Sequence, residues 1–241
     1  GQSGLHLVVG DNYYRFDGAT WSAPEMFALY KGEDPSSVAI DVDTSGRVHV
    51  AHVSVTTLLY AERTSSGWTN TQIGFTNSHE VGLAVLPSGE PVIGYGEEGA
   101  VGVAARSGAS WNVASFAIAK ENAYYSLISL ALGSAGTPRL VYNNGYASFG
   151  YAERSASAWQ KWDAPRGFAR IVTGDQTSRR IAFLSDPARE FVLGTLTGDV
   201  WVESVVAQPG GTGMEPSSAI AAADGSVWIL ASGYERITLY H

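Results

Sequence analysis

The chain is 241 residues long, 45% hydrophobic, free of cysteine and carries a formal net charge of −8. A chain of this size can bury a sizeable core, and the lack of thiols excludes disulfides and thiolate metal sites. The acidic balance, with Arg179-Arg180 the only adjacent basic pair, argues against nucleic acid or anionic lipid as a partner. No apolar run approaches the roughly 18 residues of a membrane-spanning helix.

Taken from the amino end, Leu5 to Val9 and Asn12 to Phe16 read as two short strands, followed by a turn into Trp21. The clearest unit comes next, from Ser36 to Gly74. Val38, Ile40 and Val42 alternate with Ala39, Asp41 and Asp43, the period of a strand with two unlike faces. Thr44-Ser45-Gly46 turns the chain into a second strand at Val48 to His52. A third strand runs from Leu58 to Arg63, and a fourth opens at Trp68. Val, Ile, Thr and Tyr dominate, and Gly or Ser interrupts every seven to nine residues, so the unit is a four-stranded antiparallel meander.

The unit then recurs. Trp21, Trp68, Trp111, Trp159 and Trp201 lie between 42 and 48 residues apart. Complete copies are expected at 36–75, 80–118, 125–164 and 167–208, with strands two to four of a unit before them and strands one to three after them. A meander repeating every ~40–50 residues is the pattern of a β-propeller, because each sheet has two apolar faces and must stack on a neighbour at either side. The expectation is an all-β chain forming one propeller domain over residues 1–241, with six blades preferred and five as the runner-up. Closure of the ring by the two termini would remove exposed sheet edges.

The residues that carry a family resemblance are the recurring Tyr60-Ala61-Glu62-Arg63 and Tyr151-Ala152-Glu153-Arg154 runs and the turn Asp17-Gly18-Ala19-Thr20-Trp21. The repeat resembles that of sialidase-like bacterial propellers. The turn is similar to their Asp-box hairpin, of which Ser66-Gly67-Trp68 and Ala109-Ser110-Trp111 keep the end. The resemblance implies fold, since the Asp-box is architectural. The arginine signature of a sialidase is missing, which puts that activity in doubt.

Sites are sought where the units differ. The link between the second and third strands varies most, and loops on one face of a rigid scaffold are where function is placed. Tyr95, Glu97, Glu98, Tyr142, Asn143, Asn144, Tyr146 and Asp186 are the ligand-binding candidates, with Asn143-Asn144 and Glu97-Glu98 read as equivalent. The repeated Trp residues are read as packing between blades. Glu62-Arg63 and Glu153-Arg154 are read as solvating strand ends or pairing across the blade. Asp41 to Gly46 fits the start of a calcium loop, but the twelfth place, where such a loop closes with a bidentate Glu, is His52. A plain turn is expected there, and no metal or cofactor. His49 and His52 stand three apart on one strand and point to opposite faces.

The function expected is a non-catalytic binding or scaffold module of an extracytoplasmic bacterial protein, extracellular or periplasmic, with a glycan or a protein as ligand. No signal peptide is visible in the chain, although a cleaved one would leave no trace. The alternative is a glycoside hydrolase or lyase with carboxylates at the central channel, for which Asp11, Asp41, Glu97, Glu98, Asp175 and Asp186 are all near turns.

Overall fold

The computed structural model describes residues 4–28, 35, 37–76, 80–97, 99–117, 128–143, 149–155, 158–164, 167–173, 177–185, 188–208, 215–222, 224–232 and 237–240. Among these, the regular structure is strand apart from a single three-residue 3-10 turn, Ser134–Gly136. The strands fall into two compact units.

The first unit holds three sheets. The opening sheet contains β1 (Leu5–Val9), β2 (Asn12–Phe16) and β3 (Glu25–Met26). The second is β4 (Ser37–Val42), β5 (Val48–Ser54), β6 (Thr57–Thr64) and β7 (Gly67–Phe75), and the third is β8 (Val81–Val85), β9 (Pro91–Glu97), β10 (Ala100–Ser107) and β11 (Ser110–Ala117). Each of the latter two is an antiparallel meander whose spatial order follows the chain.

The second unit continues the pattern. It contains β12 (Ile128–Leu132), β13 (Pro138–Asn143), β14 (Phe149–Ser155) and β15 (Ala158–Asp163), then β16 (Gly167–Thr173), β17 (Arg180–Ser185), β18 (Phe191–Thr197) and β19 (Val200–Ala207). A last meander has three strands: β20 (Glu215–Ala221), β21 (Val227–Ser232) and β22 (Ile237–Tyr240). The innermost strands β16 and β20 touch in parallel at Val172–Ala219 and Thr173–Ile220, which joins the last two meanders at their inner edges. The four complete meanders stand where the repeat places them.

The amino-terminal sheet departs from the expected repeat. Trp21 does not open a continuous fourth strand. It makes an isolated bridge to Phe16, and pairing with β2 resumes only at Glu25 and Met26. The register slips by one residue between these points, and Pro24, which has no N–H to donate, lies in the interval. The Asp17 turn itself is well formed. Its Oδ1 accepts the N–H groups of Ala19 and Thr20 at 2.8 Å each, and Gly18 takes a φ of 105°.

Burial follows from strand position. All seven residues of β5 are buried, because both faces of a second strand are covered by neighbouring sheets. On β7, at the outer edge, half-buried and exposed residues alternate for most of its length. One face of the β4–β7 sheet packs Val38, Ile40, Val48, Val50, Ala61 and Trp68 against Tyr13 and Phe27 of the sheet before it. The other face packs Ala51, Val53, Leu58 and Tyr60 against Val81, Leu83, Ile93, Tyr95 and Trp111 of the sheet after it. In the second unit, Val141, Phe149 and Tyr151 meet Ile171, Ile181, Phe183 and Val192 in the same manner.

Side chains bridge some of the inner strands. Ser37 and Asp41 of β4 accept the N–H groups of Val81 and Val85 on β8, at 3.0 and 2.7 Å. Ser129 of β12 accepts that of Ile171 on β16 at 3.1 Å.

Trp68, Trp111, Trp159 and Trp201 are half-buried, and Trp21 is 48% exposed. The indoles of Trp68, Trp111 and Trp201 pack against the preceding sheet and leave an outer edge in water. Replacing Trp111 by Ala should therefore lower stability by about 3 kcal/mol, the lower end of the range for a large aromatic. Chemical denaturation of the variant checks this; an unchanged midpoint with lost ligand binding would make the indole a contact residue instead.

Candidate functional site

The loop-end candidates come first. Glu98, Asn144, Tyr146 and Asp186 lie outside the described residues, as does Asp175. Tyr95 and Tyr142 do not stand on an open rim. They are 3% and 4% exposed, and each ring lies flat on a glycine of the neighbouring third strand. A Cβ added to Gly102 would meet the Tyr95 ring at 2.3 Å, and one added to Gly150 would meet that of Tyr142 at 2.2 Å. Burial pushes the Tyr142 hydroxyl up to about 12. It raises Tyr95 as well, with help from Glu97, to which the Tyr95 hydroxyl is hydrogen-bonded.

Glu97 and Asn143 end β9 and β13 and are half-buried. They are not equivalent. Asn143 pairs with Phe149, the place that Gly96 holds opposite Val101, so Glu97 lies one residue further along. A one-residue offset puts the two side chains on opposite faces of their sheets.

The opposite ends of the third strands hold an arrangement that the sequence only hinted at. In three places an aromatic ring of one sheet is capped by a Trp of the next, beside an arginine–carboxylate pair that bridges the same two sheets. Between β1–β3 and β4–β7, Trp68 meets Tyr13 edge-on at 5.4 Å. Arg63 lies 5.6 Å over the Tyr13 ring and holds both oxygens of Glu25, at 2.8 and 2.9 Å. Between β4–β7 and β8–β11, Trp111 meets Tyr60 at 5.1 Å, and Arg106 lies over Tyr60 and donates to Glu62 at 2.6 Å. Between β12–β15 and β16–β19, Trp201 meets Tyr151 at 5.6 Å. Arg179 there reaches Glu153 at 2.7 Å and lies over Trp162.

Glu62 and Arg63, adjacent in sequence, thus face opposite sheets. Glu62 reaches the sheet that follows and Arg63 the sheet that precedes, as the alternation of a strand requires. They are ties between sheets and not solvated strand ends. Sequence spacing alone shows the repeated Tyr, Arg and Trp, but the partner of each comes from another unit.

The middle seam carries the most charge. Asp43 Oδ1 accepts the Ser45 hydroxyl at 2.6 Å and the N–H groups of Ser45 and Arg47, while Oδ2 takes Arg47 Nε at 3.1 Å. Arg47 also donates to Glu62 at 2.7 Å. Burial works against both carboxylates, but these bonds hold Asp43 well below the usual carboxylate range and keep Glu62 low as well. Asp43 is therefore the anchor of a turn whose Gly46 N–H closes on its own carbonyl at 2.9 Å. Among the described residues, no group of three or more His, Asp or Glu is placed to hold a metal ion. His49 and His52 do face opposite ways, toward Tyr60 and Phe27.

The solved structures similar over nearly the whole chain include two lectins and a lyase. The SapL1 lectin in complex with alpha methyl fucoside is 14% identical, with a TM-score of 0.63, and the match covers 98% of this chain and 90% of that one. The fucose-specific lectin from Aleuria aurantia is 14% identical, with a TM-score of 0.57, covering 95% and 85%. A catalytically inactive virginiamycin B lyase from Staphylococcus aureus with quinupristin is 13% identical, with a TM-score of 0.61, covering 99% and 87%. The fold is a β-propeller. At these identities the likeness shows fold alone, so the meanders are blades, and the chemistry has to be argued from this chain. No family model and no curated protein sequence matches it.

Proposed function

We propose that the chain is a single six-bladed propeller domain over residues 1–241 and serves as a non-catalytic binding module of an extracytoplasmic bacterial protein. A glycan is the favoured ligand and a protein surface the second. Three complete or partial blades in each compact unit support the blade count. The Asp17 turn supports kinship with sialidase-like Asp-box propellers. That two similar structures are lectins, one fucose-specific and one holding alpha methyl fucoside, supports a carbohydrate.

The observation that carries the reading is the division of polar groups along the strands. At the ends near the third-to-fourth turns, Glu62 and Glu153 are engaged by arginines of the next blade. At the other ends, Glu97 and Asn143 extend from buried, rigid strands beside tyrosines locked onto glycine. Rigid presentation of a few polar groups suits recognition, because little ordering entropy is lost on binding. Glu98, Asn144, Tyr146 and Asp186 extend the proposed surface.

One observation favours the hydrolase or lyase alternative. Asp41 and Asp43 are neighbouring carboxyls driven apart. Burial raises Asp41, whereas hydrogen bonds outweigh burial and lower Asp43. Such a split is what an acid–base pair needs. A glycan array run beside chromogenic glycosides decides between them. Array signal that falls at least about tenfold in Glu97→Ala or Asn143→Ala, roughly the loss of one good polar contact, is the expected result. Release of chromophore that Asp41→Asn abolishes would establish the enzyme.

A further inference from the structure

The buried centre of the middle seam is a chain of polar groups built around one histidine. His49 is fully buried, with Nδ1 2.6 Å from the Tyr60 hydroxyl and Nε2 3.4 Å from Asp43 Oδ2. Tyr60 in turn donates to Glu62 Oε2 at 3.1 Å. A neutral imidazole carries a single N–H. If Nδ1 holds it, Tyr60 can serve Glu62, but the Nε2 lone pair then faces the Asp43 carboxylate. If Nε2 holds it, Asp43 is served, but Tyr60 must turn its proton to Nδ1 and release Glu62. Nε2 makes no hydrogen bond to Asp43 at this distance and angle. Neither neutral tautomer serves both neighbours, and an imidazolium would hold its charge with no access to water.

The groups facing this ring come from three elements and the turn between β4 and β5. Asp41 of β4 stands directly opposite His49 in the strand register. Asp43 and Arg47 come from the turn, Tyr60 and Glu62 from β6, and Arg106 from β10 of the next blade. Three carboxylates against two guanidiniums leave room for one more positive charge, while complete burial resists it. We propose that this seam is an acid-sensitive latch: protonation at His49 forces the β4–β7 and β8–β11 blades to admit water or to part.

Two other seams bracket the idea. Tyr13 occupies the same kind of place and also holds a histidine, His6 Nδ1, at 2.7 Å. In the second unit, Arg139 pairs with Glu153 where His49 pairs with Glu62, so a permanent charge replaces the titratable ring.

The sign follows from the shifts. Burial lowers His49 from its ordinary value of 6.5, so its contribution is present above 6.5 and is lost as pH falls below it. Asp43 and Glu62 are also lowered and lose theirs only at more acidic pH. Asp41 is raised by burial and acts the other way, contributing more as pH falls through its raised value.

Amide hydrogen exchange on the whole chain tests the latch. The probe is the Val85 N–H, which spans the seam to Asp41 at 2.7 Å. Corrected for intrinsic rates, its opening should increase by up to about fivefold between pH 6.5 and 5.5. The Ile171 N–H, which bonds Ser129 across the second unit's seam, should change little. His49→Gln keeps a polar side chain that cannot titrate and should flatten the Val85 response, while Asp41→Asn removes the opposing titration and should steepen it. A His49 Cε1–H resonance in the unaltered protein should titrate below 6.5, which decides the matter even if a variant fails to fold. Equal Val85 protection at both pH values, a pH response that survives His49→Gln, or a His49 midpoint at or above 6.5 would each overturn the proposal.

Discussion

Alanine at Tyr151 is expected to lower stability by about 3–5 kcal/mol, whereas phenylalanine there should change it by less than about 1 kcal/mol. The ring is fully buried, edge-on to Trp201 and tilted against Trp162, so truncation opens a cavity between two blades. Its hydroxyl is buried without a hydrogen-bond partner among the described residues, and removing it forfeits no bond. Tyr60 holds the same place in its own blade and behaves differently. Its hydroxyl bonds both His49 and Glu62, so Tyr60→Phe leaves a buried ring nitrogen and a carboxylate oxygen each short of a partner. That change should destabilise by about 1–3 kcal/mol. Denaturant unfolding of the two phenylalanine variants, followed by fluorescence and by circular dichroism, is the comparison. Equal losses at both positions would mean that the hydroxyls have equivalent surroundings.

The blades were legible because period-two alternation, a turn residue every seven to nine positions and the spaced Trp residues all report local structure. Val38 to Trp68 could be divided into four strands without knowing any contact. The amino-terminal fourth strand was not legible in the same way, since Trp21 marks a bridge and the paired strand waits for Glu25 beyond Pro24. Partners across a seam were also hidden. Nothing within Tyr60-Ala61-Glu62-Arg63 says that Glu62 bonds Arg106 while Arg63 bonds Glu25, because these lie in different blades. Tyr95 and Tyr142 illustrate the same limit. A tyrosine ending a strand looks like a rim residue until Gly102 and Gly150 are seen to be small so that the rings can lie on them. The equivalence assumed for Asn143-Asn144 and Glu97-Glu98 failed by one residue, an offset that alignment of loops cannot detect and strand register can.

The charged seam of the second unit should be sensitive to the loss of a single carboxylate. Glu153 accepts Arg139 Nε at 3.3 Å and forms an ion pair with Arg179 Nε at 2.7 Å, and the Arg139 side chain is only 6% exposed. Glu153→Ala would take one carboxylate partner from the buried Arg139, while its bond to the Ser178 carbonyl at 2.8 Å stays. Removing one partner of a buried ion pair costs about 3–5 kcal/mol. Glu62→Ala removes a carboxylate that also serves two arginines, but Arg47 and Arg106 are 44% and 33% exposed and can turn to water. The smaller penalty, roughly 1–2 kcal/mol, is expected there. The cause can be separated from simple loss of packing by a double variant. Arg139→Met with Glu153→Ala removes both charges of the pair, keeps much of the side-chain volume and should recover at least about half of the single variant's loss. Denaturant midpoints of the three variants measure this. If the double variant is as unstable as Glu153→Ala, the ion pair with Arg139 is not what that position controls.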